Sequence, residues 1–537
     1  MSWSSRPFAS SSQAGGHLAA LPLRRRHVVA AACCVAALYL AGVTNSWWPT
    51  PDSALYQGLG RSMIRGEGYR FNGEVNTEVT PGMPAVLGAL WWAFGDGFWA
   101  PNLLVVLCGL GGLGMAYLTL ARRMDRQTAF IVVLATSLCY RSYDYSHLIL
   151  TDAPFALLFW LLAYACVRAL EGSRAWLCAT VPLTVAAVVV RAPGLMIIGP
   201  WAVGVVLDGA SKARLGRRLA IAALVLAAGA VVGGSFYWLA RSISGEQPAY
   251  AVTATMNSGL LARLYRVAVG LARLPGAMVD SFTAQRSAWL APVGIALVVL
   301  AVAGGVRLWR AGRRLIPATC LVNFVGTCFL IGFPSVRARY MMPIYPMILL
   351  LVLHGVFWGV ELLSRRRGSA ARPAVLVRAA VVFAAALAAV NAPLVLRSAL
   401  YYSYYGHIGR YHELIEGGRY CDLYEAADVL RRDFGPGARI VSRWDRARMY
   451  HFLTGRRIEP LFAQMDRWKP CHAEAVYNDF RSRPSVDAVL FDTGGLVESY
   501  TRQVTRLFDE APDLKVRYRG KFVTIYERVR PGAGDSP

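Results

Sequence analysis

The chain has 537 residues, of which 55% are hydrophobic and 17% charged, and its mean hydropathy is +0.39. Soluble globular chains carry about 25% charged residues, and runs of about 20 apolar residues, enough to cross a hydrocarbon layer of about 30 Å, recur through most of this one. That excludes an ordinary water-soluble enzyme. The formal charge of +25 invites a nucleic-acid reading, but its distribution argues against one. Met1 to Leu396 holds 34 Lys and Arg against 13 Asp and Glu, whereas the rest holds 23 against 19. The excess lies in short loops between apolar runs, where basic residues set membrane orientation.

In chain order, Met1 to about Ala20 is rich in Ser, Gly and Ala without apolar periodicity and is expected to be disordered. Arg24, Arg25 and Arg26 then precede HVVAAACCVAALYLAGV, read as an uncleaved first span because no small-x-small cleavage site follows. Basic clusters recur at Arg122 to Arg126, Arg168 to Arg174, Lys212 to Arg218, Arg307 to Arg314 and Arg365 to Arg378. Placing them all on one side gives about eleven spans. The expected organisation is a cytoplasmic tail over 1–26, a membrane domain over 27–396 and an outer domain over 397–537. Two long outer segments, 47–99 and 241–287, show helix-like apolar spacing broken by Gly and Pro and are expected to hold helices lying along the interface. Trp47, Trp48 and the tract YYSYY at Tyr401 read as interfacial aromatics.

The tail from about Tyr401 reads as a small α/β domain. ARIVS, VDAVLFD and KFVTIYERV have strand character, and LYEAADVLRRDF and LVESYTRQVTRLFDE have helical spacing. Eight of the ten cysteines lie in or beside apolar runs and read as small buried hydrophobes. Cys421 and Cys471 lie in the outer domain, where an oxidising compartment permits a disulfide closing a loop of about 50 residues, worth about 4 kcal/mol.

Several polar residues interrupt this pattern. Asp52 follows the first span, with Tyr56 four residues on and a TPGMP turn beyond. Read locally, Asp52 caps a helix starting near Ser53. Asp152, in LILTDAPFALLFW, reads either as a cap ahead of Pro154 or as a carboxylate facing a polar cleft. Arg191 interrupts VPLTVAAVVVRAPGLMIIGP and lies near the outer surface if that run folds as a short helical hairpin, and within the membrane otherwise. Arg337, Arg339 and Tyr340 stand in FPSVRARYMMP, where the arginines either anchor a helix end or bind an anion. Asp144 and His147, in YRSYDYSHL, are weaker candidates, a lone loop histidine being more often a polar surface residue.

The acid after the first span, the GEGY turn, the PGMP segment, RRMDRQTAFIVVLATSLCY, LILTDAPFALLFWLLAY, VRAPGLMIIGP and RARYMMPIYPMILLLVL together resemble the GT-C glycosyltransferases. These include the protein O-mannosyltransferases, the lipid A aminoarabinose transferases and related bacterial sugar transferases. The resemblance implies a GT-C-like polytopic α-helical membrane protein of a bacterial inner membrane, with its C-terminal α/β domain on the periplasmic side. It implies an inverting transferase that moves a sugar from a polyprenyl-phosphate-linked donor to an acceptor hydroxyl on a protein, lipid or glycan. By position Asp52 inherits the role of catalytic base; for a phosphate leaving group, Arg337 and Arg339 with Tyr340 beside them, and Arg191, are the candidate donor-phosphate ligands. Tyr56, Asp152, Asp144 and His147 become candidates for substrate or acceptor binding. Many relatives have two adjacent acids where this chain has Asp52-Ser53, which puts a divalent metal there in doubt; Glu67, Glu74 or Glu78 are the alternative carboxylates.

The chemistry needs few parts. A phosphate leaves without a strong general acid, so one carboxylate to take the acceptor proton and cations to hold the departing charge suffice. Arginine suits the second task because its guanidinium forks onto phosphate. Two other readings share the lipid donor: a lipid-linked glycan transporter or flippase, which predicts charges spread through the spans and repeat symmetry, and an O-antigen-type ligase or polymerase, which predicts its long outer loop late in the chain. No GxSxG, HExxH or Walker motif supports a hydrolase, metalloprotease or ATPase.

Overall fold

The computed structural model describes residues 25–244, 259–283, 290–330, 338–366, 373–405, 419–461, 473–492 and 498–529. The segment expected to be disordered, Met1 to about Ala20, lies outside them, as do Arg337 and, through Cys471, the Cys421–Cys471 pairing. The chain divides into two compact units, Met1–Thr44 with Thr77–Met83 and Trp99–Ser403, and Asn45–Asn76 with Pro84–Phe98 and Tyr404–Pro537.

The first unit is built of helices. Among the described residues six are long and apolar enough to cross a membrane: Trp99–Leu120, Asp152–Leu170, Leu215–Ile243, Ala291–Arg310, Met342–Arg366 and Ala374–Ser403. Arg26–Leu40, Arg174–Val190, Ala192–Leu207 and Leu315–Gly326 are shorter apolar helices. Asp152–Leu170 is 72% buried within the protein, whereas Ala291–Arg310 and Ala374–Ser403 are 17% buried although equally apolar. An apolar helix left so uncovered has lipid as its partner.

Around the enclosed helix, Phe159 meets Trp160 and Trp201 edge-on, with ring centroids 5.5 and 5.8 Å apart. The Trp160 indole N–H donates to the Pro343 carbonyl at 2.9 Å. The run through Arg191 folds as the helical hairpin that the sequence left as one alternative. Arg174–Val190, capped by Ser173, ends at an extended Arg191; a 3₁₀ turn over Ala192–Gly194 follows, and Leu195–Leu207 returns.

Where Ala291–Arg310 crosses Tyr345–Arg366, glycines permit the approach. A Cβ on Gly304 would stand 1.9 Å from the Leu351 carbonyl oxygen, and one on Gly355 2.0 Å from that of Leu300. Lipid provides no hydrophobic drive between helices, so close backbone packing at small residues carries much of their association.

The second unit joins the first outer segment to the C-terminal region. Its five-stranded sheet runs in the order Ile458–Leu461, Ile440–Arg443, Ala488–Asp492, Val523–Arg528, Leu514–Arg519. The first three strands are parallel, with Ile440 opposite both Ile458 and Ala488, and the last two are antiparallel. Val441, Val489, Phe491 and Tyr526 of the sheet pack with Val476, Phe480, Val504 and Phe508 of helices Ala473–Arg481 and Glu498–Asp509. Helix Trp444–Thr454 and the strands Ile458–Leu461 and Leu514–Arg519 were not anticipated. The expected helix in the first outer segment is present as Pro51–Ile64, followed by a two-stranded hairpin pairing Arg70–Phe71 with Glu74–Val75. Trp47 is not interfacial: it is 2% exposed, with its ring 4.7 Å from that of Phe452.

Gly304→Ala is expected to destabilise the protein by about 1–3 kcal/mol through overpacking. Gly326→Ala, whose Cβ meets nothing within 4 Å, serves as control. Thermal unfolding midpoints of the two variants in detergent decide the matter.

Candidate active site

Asp152, Arg191 and Arg339 come together in the first unit from three places where apolar helices break. Asp152 opens the helix Asp152–Leu170, Arg191 sits in the hairpin turn, and Arg339 belongs to the short helix Ala338–Met341. The Arg191 Nη1 donates to Asp152 Oδ1 at 2.5 Å and to Thr151 Oγ1 at 3.2 Å, and Arg339 Nε lies 3.8 Å from the same Oδ1. The Asp152 side chain has no exposed surface, and those of Arg191 and Arg339 are 7% and 14% exposed. Asp152 is therefore not a cap. Thr151 holds the N-cap position without a side-chain bond, and the carboxylate is spent on the arginines.

An isolated buried charge is expensive, and pairing with good geometry offsets much of that cost. Here one carboxylate is shared by two guanidiniums, so the cluster holds one more basic group than acidic. Both arginines line a small cleft with Phe155, Gly194, Asn323 and Met341. Two guanidiniums on an apolar-walled cleft suit a phosphate group. Asp152 Oδ2 has no hydrogen-bond partner among the described residues.

One further residue belongs here that the sequence reading missed. Asn323 lines the cleft while its Nδ2 donates to the Met196 carbonyl at 2.8 Å. The signal for Asn323 was available, an amide within the apolar run LIPATCLVNFVGTCFL, where polar groups are uncommon. Of Tyr340 the structure describes the backbone, in helix Ala338–Met341.

Asp144 and His147 lie elsewhere in the first unit, in an aromatic cluster with Tyr39, Tyr143 and Tyr402. The Tyr402 hydroxyl donates to Asp144 Oδ1 at 3.0 Å. The His147 ring nitrogens lie 2.8 and 2.9 Å from the carbonyl oxygens of Tyr143 and Tyr39. His147 is 4% exposed, so the expectation of a surface histidine is corrected, and the tract at Tyr401 contributes a buried Tyr402. Arg141, beside them, pairs with Asp280 at 2.9 Å.

Asp52 lies in the second unit, in the first turn of Pro51–Ile64, and is half-buried. It is not the cap. Thr50 is, in a reciprocal capping box with Ser53, whose backbone N–H donates to Thr50 Oγ1 at 3.0 Å and whose Oγ accepts from the Thr50 N–H at 3.1 Å. That leaves the Asp52 carboxylate in the first turn, beside the N-terminal N–H groups of the helix. Tyr56, 4% exposed, stands one turn further along the same helix. Of the alternative carboxylates, Glu74 approaches Arg457 at 3.5 Å, a solvent-exposed pair worth little. Among the described residues no three His, Cys, Asp or Glu side chains cluster to hold a metal.

Comparison with known proteins agrees with this architecture. Residues 78–238 match the family model described as dolichyl-phosphate-mannose-protein mannosyltransferase. No curated protein sequence matches the chain. Among solved structures it is similar to ArnT from Cupriavidus metallidurans bound to undecaprenyl phosphate, at 17% identity and a TM-score of 0.55, covering 95% of this chain and 99% of that one. It is also similar to the apo oligosaccharyltransferase of Archaeoglobus fulgidus, at 12% identity and a TM-score of 0.57, over 95% and 75% of the two chains. A third similar structure is AglB of the same organism in complex with an inhibitory peptide and a dolichol-phosphate, at 12% identity and a TM-score of 0.55, over 94% and 74%. The fold is GT-C: a multi-pass helical membrane protein with a sheet-bearing C-terminal region.

Asp152→Asn leaves Arg191 buried without its counter-charge and is expected to cost about 3–5 kcal/mol. In a double-mutant cycle, Arg191→Met added to it should cost less than the two single losses summed, with a coupling of about 1–3 kcal/mol. Unfolding free energies of the four proteins give the coupling directly, and strict additivity would exclude the pair as a unit.

Proposed function

We propose that this chain is an inverting glycosyltransferase that moves a sugar from a polyprenyl-phosphate-linked donor to an acceptor hydroxyl on the extracytoplasmic side of a bacterial inner membrane. The observation that carries the proposal is the buried Arg191–Asp152–Arg339 cluster, whose two arginines line a cleft in a GT-C fold. The ArnT and AglB structures contain undecaprenyl phosphate and dolichol-phosphate respectively, which supports a lipid phosphate as the ligand of these arginines.

In the proposed reaction the acceptor oxygen attacks the anomeric carbon from the face opposite the phosphate. Its proton passes to the Asp52 carboxylate as the new C–O bond forms. The anomeric C–O bond to phosphate breaks, and the leaving phosphate keeps the electron pair. Arg191 and Arg339 stabilise that departing charge, which is the largest electrostatic demand of the step. Arg337 and Tyr340, next to Arg339 in sequence, are proposed as further phosphate ligands. Asp152 then acts chiefly by orienting the two guanidiniums, and Tyr56 is proposed to border the acceptor. Asp144 and His147, enclosed by tyrosines, are the least suited of the candidates to touch the acceptor.

The test uses purified full-length protein in vesicles loaded with radiolabelled polyprenyl-phosphate sugars and membrane-derived acceptor. Asp52→Asn is expected to lower transfer by about 100-fold or more, the scale of general-base catalysis, with donor binding retained. Transfer by Asp52→Asn at the wild-type rate would remove the base assignment. Sugar lipid that crosses the bilayer without transfer would replace the enzyme with a transporter.

A further inference from the structure

Two neighbouring residues of the helix Trp444–Thr454, His451 and Phe452, reach the segment that carries Asp52 from two sides. On one side the His451 ring stands edge-on to Phe71, with centroids 4.6 Å apart at 81°. Its Nε2 accepts the Asn72 backbone N–H at 3.1 Å, while Nδ1 lies 2.6 Å from the Arg456 carbonyl oxygen. A carbonyl only accepts, so the ring proton sits on Nδ1 and the ring is neutral. The Asn72 side chain pairs with Ile458 in both directions, its Nδ2 donating to the carbonyl at 2.7 Å and its Oδ1 accepting from the N–H at 2.8 Å. Asn72 and Gly73 both have positive φ, 56° and 83°, as an Asn-Gly hairpin tip requires. Phe71 lies directly over Gly58 of the Asp52 helix, where a Cβ would stand 2.4 Å from its ring.

On the other side Phe452 meets Trp47 edge-on at 4.7 Å, and the Trp47 indole N–H donates at 2.9 Å to Ser53 Oγ, the residue after Asp52. The Arg61 guanidinium lies between the rings of Phe452 and Trp91, 4.6 and 3.9 Å from their centroids.

We propose that His451 and Phe452 are positioning residues for the transfer reaction: through the Phe71–Asn72 hairpin and through Trp47, the C-terminal region fixes the helix that holds Asp52. This inference rests on Asp52 being the base. A helix of 14 residues with one capping box is marginal by itself, and a base displaced by about 1 Å loses about 100-fold in rate. Order at Asp52 is therefore supplied by packing from outside the helix, from the close approach of Gly60 to Gly88 and from these contacts.

The arrangement has a pH signature. Burial lowers the His451 pKa below that of a free imidazole, and Glu67 opposes the shift. Among the other charged groups nearby, Arg456 directs its guanidinium to the carbonyls of Arg431, Phe434 and Gly435, and Arg457 approaches Glu74. A group with a depressed folded pKa holds its contact in the neutral form. The contact is intact above the ordinary imidazole value of about 6.5 and is lost as pH falls through the lowered folded value, because a proton on Nε2 faces the Asn72 N–H.

The experiment compares wild type, His451→Ala, His451→Gln and Asp52→Asn as full-length protein, reading kcat and KM against pH together with hydrogen exchange of the 69–76 backbone. Wild type should lose Asn72 protection and kcat together in acid, with KM for donor unchanged. His451→Ala should lose both at every pH, with kcat down about tenfold or more. His451→Gln, which accepts the same N–H without titrating, should restore both and flatten the acid limb. Wild-type kcat and protection in His451→Ala, or an acid limb undiminished in His451→Gln, overturns the inference while an inactive Asp52→Asn leaves the base assignment standing. An active Asp52→Asn removes the base and the inference with it.

Discussion

A carboxylate with no exposed surface, shared by two guanidiniums, is the interaction around which the first unit is organised. A carboxylate as enclosed as Asp152 needs the guanidinium of Arg191 at 2.5 Å, because the desolvation cost of one unpaired buried ion runs to several kcal/mol. Arg191 in turn could not end an apolar helix inside the protein without that partner. Each element breaks where it does so that the charges can meet: a helix starts at Asp152, another stops at Val190, and a 3₁₀ turn over Ala192–Gly194 frees the Arg191 backbone from helical geometry. Gly194 is part of the same device, since a Cβ there would stand 2.2 Å from the Phe155 ring.

The second unit achieves order by different means. Its outer-segment helix buries Ala54, Leu55 and Leu59 and is further held by polar and aromatic contacts: an asparagine amide paired with a strand edge, an indole bonded beside Asp52, and an arginine between two aromatic rings. The sheet beneath has an independent core in Phe480, Phe491, Phe508 and Tyr526, so it can act as a rigid support.

Much of this was legible in the sequence, and the remainder failed for identifiable reasons. Apolar runs and basic clusters revealed the helical membrane class, because a hydrocarbon solvent leaves few alternatives. Arg191, Arg339 and Asp152 were visible as charges in apolar surroundings, but their meeting was not, since it joins residues 39 and more positions apart. Asp52 and Asp152 read locally as helix caps. Thr50 and Thr151 hold those positions instead, one residue or two ahead, a difference that propensity does not resolve. Trp47 and Tyr402 read as interfacial because aromatic residues beside apolar runs usually are; partners at Phe452 and Asp144, hundreds of residues away, bury them. Helix Trp444–Thr454 escaped notice because its charged sequence WDRARMYHFLT has no clean apolar stripe, yet it presents His451 and Phe452.

The central claim is that the paired arginines receive a lipid phosphate, and equilibrium binding of polyprenyl phosphate to purified full-length protein tests it most directly. Arg339→Gln is the informative variant, because Arg339 stands 3.8 Å from Asp152 while the Arg191 pair at 2.5 Å stays in place. Loss of one charge-assisted contact predicts affinity lower by about tenfold or more, with the unfolding midpoint little changed. Undiminished affinity in a folded Arg339→Gln protein would contradict the account.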